Sequence, residues 1–185
     1  FGEEYTLVAV ADYVLSRRKP ADKANKKSAT VSNLSSTQAL RDITRNHHGA
    51  YYASAVGEVN VVEMMKKTNA IIGGEGNGGV IIPELHYGRD ALGAIALFLS
   101  HLACFGKTAS MLRATYPDYF ISKNKIELTP EMSVDKILEA IQNKYKEYNI
   151  ITVDGVKIDF STRNISVTSS SDKSASRSAS GRNQQ

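Results

Sequence analysis

Apolar positions recur at helical spacing from the start of the chain. Leu7, Val8, Ala11, Val14 and Leu15 would share one face of a helix over Glu4 to Arg18. Thr30 to Leu34 then reads as a strand, and Ser35, Ser36 and Thr37 offer N-caps for a helix from Gln38 to His48. Tyr51 to Val56 is a second strand, turned by Gly57. Val59 to Lys67 reads as a helix with Val59, Val62 and Met65 inward, and Ala70-Ile71-Ile72 as a short buried strand. Strand, helix, strand, helix, strand is the βαβαβ order of parallel strands joined by right-handed crossovers. The expected fold class is α/β, a three-layer domain with a mixed, mostly parallel sheet.

The pattern changes after Pro83. Ala91 to Phe105 is apolar nearly all round, which predicts a helix buried inside the domain. It is short for a membrane span. Asp90 is placed to cap its start and Gly106 to close it. A shorter helix, Thr108 to Tyr116, ends before Pro117, while Lys19 to Lys27, with Pro20 and four lysines, reads as an exposed loop. Phe120 to Leu128 reads as a strand. Val134 to Tyr145 follows as a helix with Ile137, Leu138 and Ile141 on one face. Ile150 to Val153 and Val156 to Phe160 form a hairpin about Asp154-Gly155. Ser161 to Gln185 holds nine serines in 25 residues and almost nothing apolar beyond Ile165 and Val167, the composition of disorder. The expected organisation is a domain over 1–118, a partial α+β domain over 119–160 and a disordered Ser-rich tail over 161–185.

The chemistry concentrates between the third strand and the β-branched run Val80-Ile81-Ile82. Five glycines lie among the seven residues Gly73 to Gly79, interrupted only by Glu75 and Asn77. Glycines let a backbone approach a ligand closely. Glu75 accepts hydrogen bonds while Asn77 both donates and accepts, the combination that adjacent sugar hydroxyls require. Gly74, Gly76 and Gly79 also satisfy G-x-G-x-x-G. A dinucleotide site, however, needs a helix opening at the third glycine, and three β-branched residues and Pro83 follow instead. In open sheets ligands bind beyond the carboxyl ends of strands. The ends at Asn33 to Ser36, at Val56-Gly57-Glu58 and at Gly73 to Gly79 therefore converge. This makes Asn33 and Glu58 further candidates, although Glu58 also suits a helix dipole as a first-turn acid. Arg89 could anchor a phosphate or carboxylate where the apolar helix begins. His47-His48 ends a helix, where cations are favoured by the dipole, so no metal site is assigned there.

Charge and cysteine content narrow the classes. Residues 161–185 hold four basic residues and one acid, a net of +3 out of the chain's +4, so the body is no basic nucleic-acid surface. The lone cysteine, Cys104, excludes a disulfide and a cysteine-built zinc site, and reads as a core thiol. A cytoplasmic protein with neither nucleic acid nor membrane as partner fits. The initial Phe1 suggests a fragment or a processed chain.

Gly73-Gly74-Glu75-Gly76-Asn77-Gly78-Gly79, followed by His86-Tyr87-Gly88-Arg89-Asp90, resembles the third domain of the α-D-phosphohexomutase superfamily, over about Phe1 to Phe160. Residues 119–160 resemble the opening of its fourth domain. The resemblance implies that Glu75 and Asn77, on a loop shaped by Gly74, Gly76 and Gly78, bind hexose phosphate hydroxyls. Many members continue Ser-Gly-His where this chain has Asn77-Gly78-Gly79, which looks more like the glucosamine-type and archaeal-type branch. It further implies a parent enzyme that interconverts hexose 1-phosphate and 6-phosphate through a phosphoserine and a hexose 1,6-bisphosphate, with Mg2+ as cofactor. Phosphoglucosamine mutase is favoured, then phosphoglucomutase or phosphomannomutase. The catalytic-serine segment, the metal loop and the Arg-x-Ser-Asn-Thr-Glu-Pro phosphate loop have no match here. No catalytic or metal residue is therefore expected in this chain, the sister domains of the same enzyme are its implied partners, and alone it should be inactive. The alternative is a non-enzymatic α/β binding module with the tail as its partner-binding segment.

Overall fold

The structure, a computed structural model, describes residues 1–18, 28–119, 133–152, 155–159 and 164–167. It divides into two compact units, 1–126 and 127–185. The Lys19 to Lys27 loop and the strand read over Phe120 to Leu128 lie outside the described residues. Among the described residues no helix is long and apolar enough to cross a membrane.

The first unit contains α1 (Glu3–Ser16), β1 (Ala29–Asn33), α2 (Ala39–Asn46), β2 (Ala50–Ser54), α3 (Glu58–Thr68), β3 (Ile72–Gly74), β4 (Val80–Ile82), β5 (His86–Arg89), α4 (Ala91–Phe105) and α5 (Ala109–Arg113). The sheet order is β2-β1-β3-β4-β5. β1 pairs in parallel with both β2 and β3, and β4 is antiparallel to both β3 and β5. Four of the five strands thus run one way, and the sheet is mixed and mostly parallel.

Helices cover both faces because the strands bury both. β4 shows this in three residues: Val80 and Ile82 join Leu7, Val8, Leu15, Leu40 and Leu112 on one side, while Ile81 joins Val31, Val61 and Met65 on the other. Within β1, Thr30 pairs with Thr44 of α2 at 2.6 Å, so a fully buried hydroxyl stays satisfied.

Several sequence expectations shift in detail. β3 begins at Ile72, two residues later than the apolar run suggested, because the Ala70 N–H donates back to the Met65 carbonyl of α3 at 2.9 Å, and it runs on through Gly73 and Gly74, which pair with Ile81 and Val80. In α3 the inward residues are Val61 and Met65, and Val59 is exposed. β5 had no sequence signal; its four residues are held by pairing to β4 with a register irregularity at Ile81/Ile82. Ser36 turns back to Asn33 instead of capping α2.

The expectation that the apolar helix is buried is overturned. α4 is capped as foreseen, with Asp90 accepting from Gly93 N–H at 2.7 Å and Gly106 closing it at φ 70°. Yet Ala94 is its sole buried residue. Leu97, Phe98, Leu102 and Phe105 pack on the core partly buried. A helix apolar all round has two faces, and α1 covers one. Cys104 is exposed, with Arg17 donating to its Sγ at 2.7 Å, so it is no core thiol.

Polar ties lock the helical layer. Asp12 of α1 accepts from the Tyr116 hydroxyl at 3.0 Å and lies 2.7 Å from His47 Nε2 and 3.3 Å from His101 Nε2. His47 thus has a structural partner beyond the helix dipole. Burial, then the Asp12 charge, pushes the Tyr116 hydroxyl far above the usual tyrosine range. Tyr119 donates to Asp42 at 2.5 Å, and burial, then Asp42, pushes it up to about 12. The folded chain therefore holds these protons more tightly than the unfolded chain. The stabilisation is complete below about pH 10 and drains away as pH climbs through the raised values. Melting temperature is expected to fall from about pH 10 to about pH 12, and Tyr119→Phe to flatten that limb. An unchanged slope in thermal melts of the variant would remove Tyr119 as a source.

The second unit holds α6 (Val134–Lys144), β6 (Asn149–Ile151), β7 (Val156–Asp159) and β8 (Asn164–Val167). The predicted hairpin is present as antiparallel β6 and β7, with Gly155 at φ 79°. β8 extends it within the Ser-rich stretch, at the one place where two β-branched residues, Ile165 and Val167, alternate. Residues 168–185 lie outside the described residues.

Candidate functional site

The connection from β1 to β2 moves one way across the sheet, and that from β2 to β3 returns past β1 to its other side. α2 and α3 accordingly lie on opposite faces. The gap between β1 and β3 is the topological switch point, where open α/β sheets leave a crevice at their carboxyl ends. Asn33 ends β1 and Glu75 follows β3, so two residues read separately from the sequence meet there. Asn33 Nδ2 donates to Glu75 Oε1 at 2.9 Å. Asn33 Oδ1 accepts from Ser36 Oγ at 2.7 Å and Ser35 Oγ at 3.0 Å, which fixes the amide's orientation. Glu75 is buried, and its orientation is set by Asn33.

The glycines shape the loop. Glu75 N–H donates to the Gly79 carbonyl at 2.9 Å, closing the turn between β3 and β4. A Cβ on Gly74 would stand 2.0 Å from that carbonyl oxygen. Gly78 sits at φ 86°, where other residues are strained. Asn77 Oδ1 accepts the Gly79 N–H at 3.1 Å, a local bond that steadies the tip. β4 follows the loop as a strand, so the G-x-G-x-x-G match opens no helix and the dinucleotide geometry is absent.

The loop's other flank borders an open cleft of about 650 Å³ lined by Asn77, Gly78, Gly79, Arg89, Asp90 and Glu58, among others. Glu58 reaches from the first turn of α3 to β5. It pairs with Arg89 Nε at 2.8 Å and accepts the Arg89 N–H at 3.3 Å. The candidates thus separate into two pairs, Asn33 with Glu75 and Glu58 with Arg89, flanking Asn77. Arg89 meets a carboxylate within the protein, so an anion there would have to share it.

One neighbour was missed. Glu4 Oε2 accepts the Thr37 N–H at 2.9 Å, and its carboxylate lies against Gly76, backing the loop from α1. In the sequence Glu4 is an ordinary first-turn acid, and nothing local marks it. Among the described residues no group of three or more His, Cys, Asp or Glu could hold a metal ion, so they do not fit the implied magnesium.

Comparison with known proteins matches the chain to a family. Residues 3–119 match the family described as phosphoglucomutase/phosphomannomutase, alpha/beta/alpha domain III. The chain is 32% identical to a phosphoglucomutase/phosphomannomutase of Thermococcus kodakarensis, over 84% of this chain and 32% of that protein. It is also 32% identical to a phosphoglucosamine/phosphogalactosamine mutase of Sulfurisphaera tokodaii, over 69% of this chain and 29% of that protein. A crystal structure of a phosphoglucomutase/phosphomannomutase family protein from Burkholderia thailandensis shares the fold, with a TM-score of 0.62 at 22% identity, over 85% of this chain and 32% of that one. The chain spans about a third of the length of these relatives. With the family model covering residues 3–119, the chain belongs to the phosphoglucomutase/phosphomannomutase family of phosphohexomutases, and that stretch is its α/β/α domain III.

Proposed function

We propose that this chain supplies sugar recognition to a phosphohexomutase acting on hexose 1- and 6-phosphates. The observation that carries the reading is the Asn33–Glu75 pair at the switch point, which fixes the orientation of a carboxylate two residues before Asn77 in the glycine loop. Glu75 accepts from one ring hydroxyl and Asn77 bonds its neighbour. The 3- and 4-hydroxyls nearly exchange places when a sugar turns over, so one loop serves both orientations. A phosphoserine and magnesium from sister domains would supply phosphoryl transfer through the bisphosphate, and the chain alone would not turn over. Glucosamine phosphate is the favoured substrate, supported by Asn77-Gly78-Gly79 in the loop. A cytoplasmic setting suits the single cysteine.

Backbone amide NMR of the chain, titrated with glucosamine 6-phosphate, glucose 6-phosphate and mannose 6-phosphate, tests this. Shifts are expected at Gly73 to Gly79 and Asn33. Glu75→Gln keeps an oxygen for Asn33 but gives up the charged acceptor. It is expected to weaken binding at least tenfold, about 1.4 kcal/mol. Equal shifts in the variant would sink the role of Glu75.

A further inference from the structure

Gly79 joins the two residues that the proposed function gives to the sugar. Its N–H donates to Asn77 Oδ1 at 3.1 Å, and its carbonyl accepts the Glu75 N–H at 2.9 Å. A shift of Gly79 therefore displaces both. A Cβ added at Gly79 would stand 2.6 Å from Arg89 Cδ and 3.2 Å from its Cγ, so the arginine stem lies directly across this glycine. Arg89 is itself fastened on two sides. Glu58, from the first turn of α3, lies 2.8 Å from its Nε and accepts its N–H at 3.3 Å. The N–H of the next residue, Asp90, donates to the carbonyl of Val80, the residue after Gly79, at 2.8 Å. Both oxygens of Glu58 are thus engaged by Arg89, one by the side chain and one by the backbone.

We infer that Glu58 and Arg89 are positioning residues for sugar binding, a role that rests on the proposed function. The ion pair seats the arginine stem on Gly79, and Gly79 sets the angle at which Glu75 and Asn77 meet adjacent ring hydroxyls. The pair touches no part of the sugar. It acts through one glycine whose two backbone groups serve the two sugar-binding residues, and the absence of a side chain at Gly79 is what lets the stem approach. The side chains of Arg89 and Glu58 are 52% and 33% exposed, so solvent and salt screen the pair. Removing its charge therefore costs little, and removing the stem costs more.

Two measurements on the whole chain test this. The first needs no sugar. Amide hydrogen exchange at Glu75 and Gly79 is expected to quicken about threefold in Glu58→Gln and about tenfold in Arg89→Ala. Arg89→Lys keeps the charge and most of the stem, and is expected to stay within about twofold of the unaltered chain. The second follows glucose, which carries no charge, through the amide shifts of Gly73 to Gly79. Its affinity is expected to fall by the same factors in the same variants. In the unaltered chain it is expected to fall about threefold from about 0.01 M to about 1 M sodium chloride, as the Debye length shrinks from about 30 Å to about 3 Å. Glu58→Gln is expected to lose that salt dependence. Exchange or glucose affinity that ignores both Glu58→Gln and Arg89→Ala overturns the inference and leaves the proposed function standing. Salt dependence confined to glucose 6-phosphate, with glucose indifferent, also overturns it, since Arg89 is then a ligand of the phosphate. Loop shifts absent with glucose and glucose 6-phosphate alike sink the proposed function, and the inference with it.

Discussion

Replacing Asp12 with alanine is expected to remove about 3 kcal/mol of stability and to lower the melting temperature by roughly 10 °C. One carboxylate serves three partners. His47 closes α2, His101 lies in α4, and Tyr116 follows α5, so the side chain ties α1 to three other segments. A hydrogen bond to a charged acceptor contributes about 1.5–3 kcal/mol, but the Asp12 side chain is 23% exposed, and solvent screening discounts the sum. Truncation also leaves the Tyr116 hydroxyl, which is buried, without this acceptor. Asp12→Asn keeps one oxygen and is expected to cost about half as much. Thermal and urea melts of both variants decide it; a loss below about 1 kcal/mol for alanine would mean that the helices hold together without this carboxylate.

Gly74→Ala is expected to cost about 3–4 kcal/mol and to abolish sugar-induced shifts in the loop. The added methyl would lie 2.0 Å from the Gly79 carbonyl oxygen. That oxygen is backbone and already accepts from Glu75, so nothing can rotate away, and the turn must open. Gly76→Ala is the control. Its methyl would meet the Glu4 carboxylate, the far end of a flexible side chain, and the cost should be nearer about 1 kcal/mol. Urea unfolding of the two variants separates the cases, and equal costs would show that the turn is not built around the Gly74–Gly79 approach.

The meeting of Asn33 with Glu75 was legible in the sequence because it follows from topology. Apolar periodicity places β1 and β3, and parallel connection puts both ends at one edge. The caps of α4 were legible because Asp90 and Gly106 act within one turn of the helix. Other features had no local signal. β5 is His-Tyr-Gly-Arg, polar and interrupted by glycine, and it is a strand because β4 offers it a ladder and Glu58 holds its end. Asp12 sits on a helix face that reads as core, and its three partners are scattered to residue 116. Glu58 was traced to the right edge of the sheet, but its pairing with Arg89 depends on how α3 crosses the strands. The exposure of α4 was misread because apolar composition reports that a surface is to be covered and does not say by what.

The two margins of the sheet are unequal. β5 is four residues long, interrupted by Gly88, irregular in register and flanked by the Glu58–Arg89 ion pair, all of which discourage a further strand from adding there. β2 at the opposite margin is Ala-Tyr-Tyr-Ala-Ser, with no charge, no proline and no irregularity against β1. When the chain is warmed or crowded, strand addition between molecules should therefore begin at Ala50–Ser54, and with one receptive margin per domain it would close β2-to-β2 dimers and not extend into fibres.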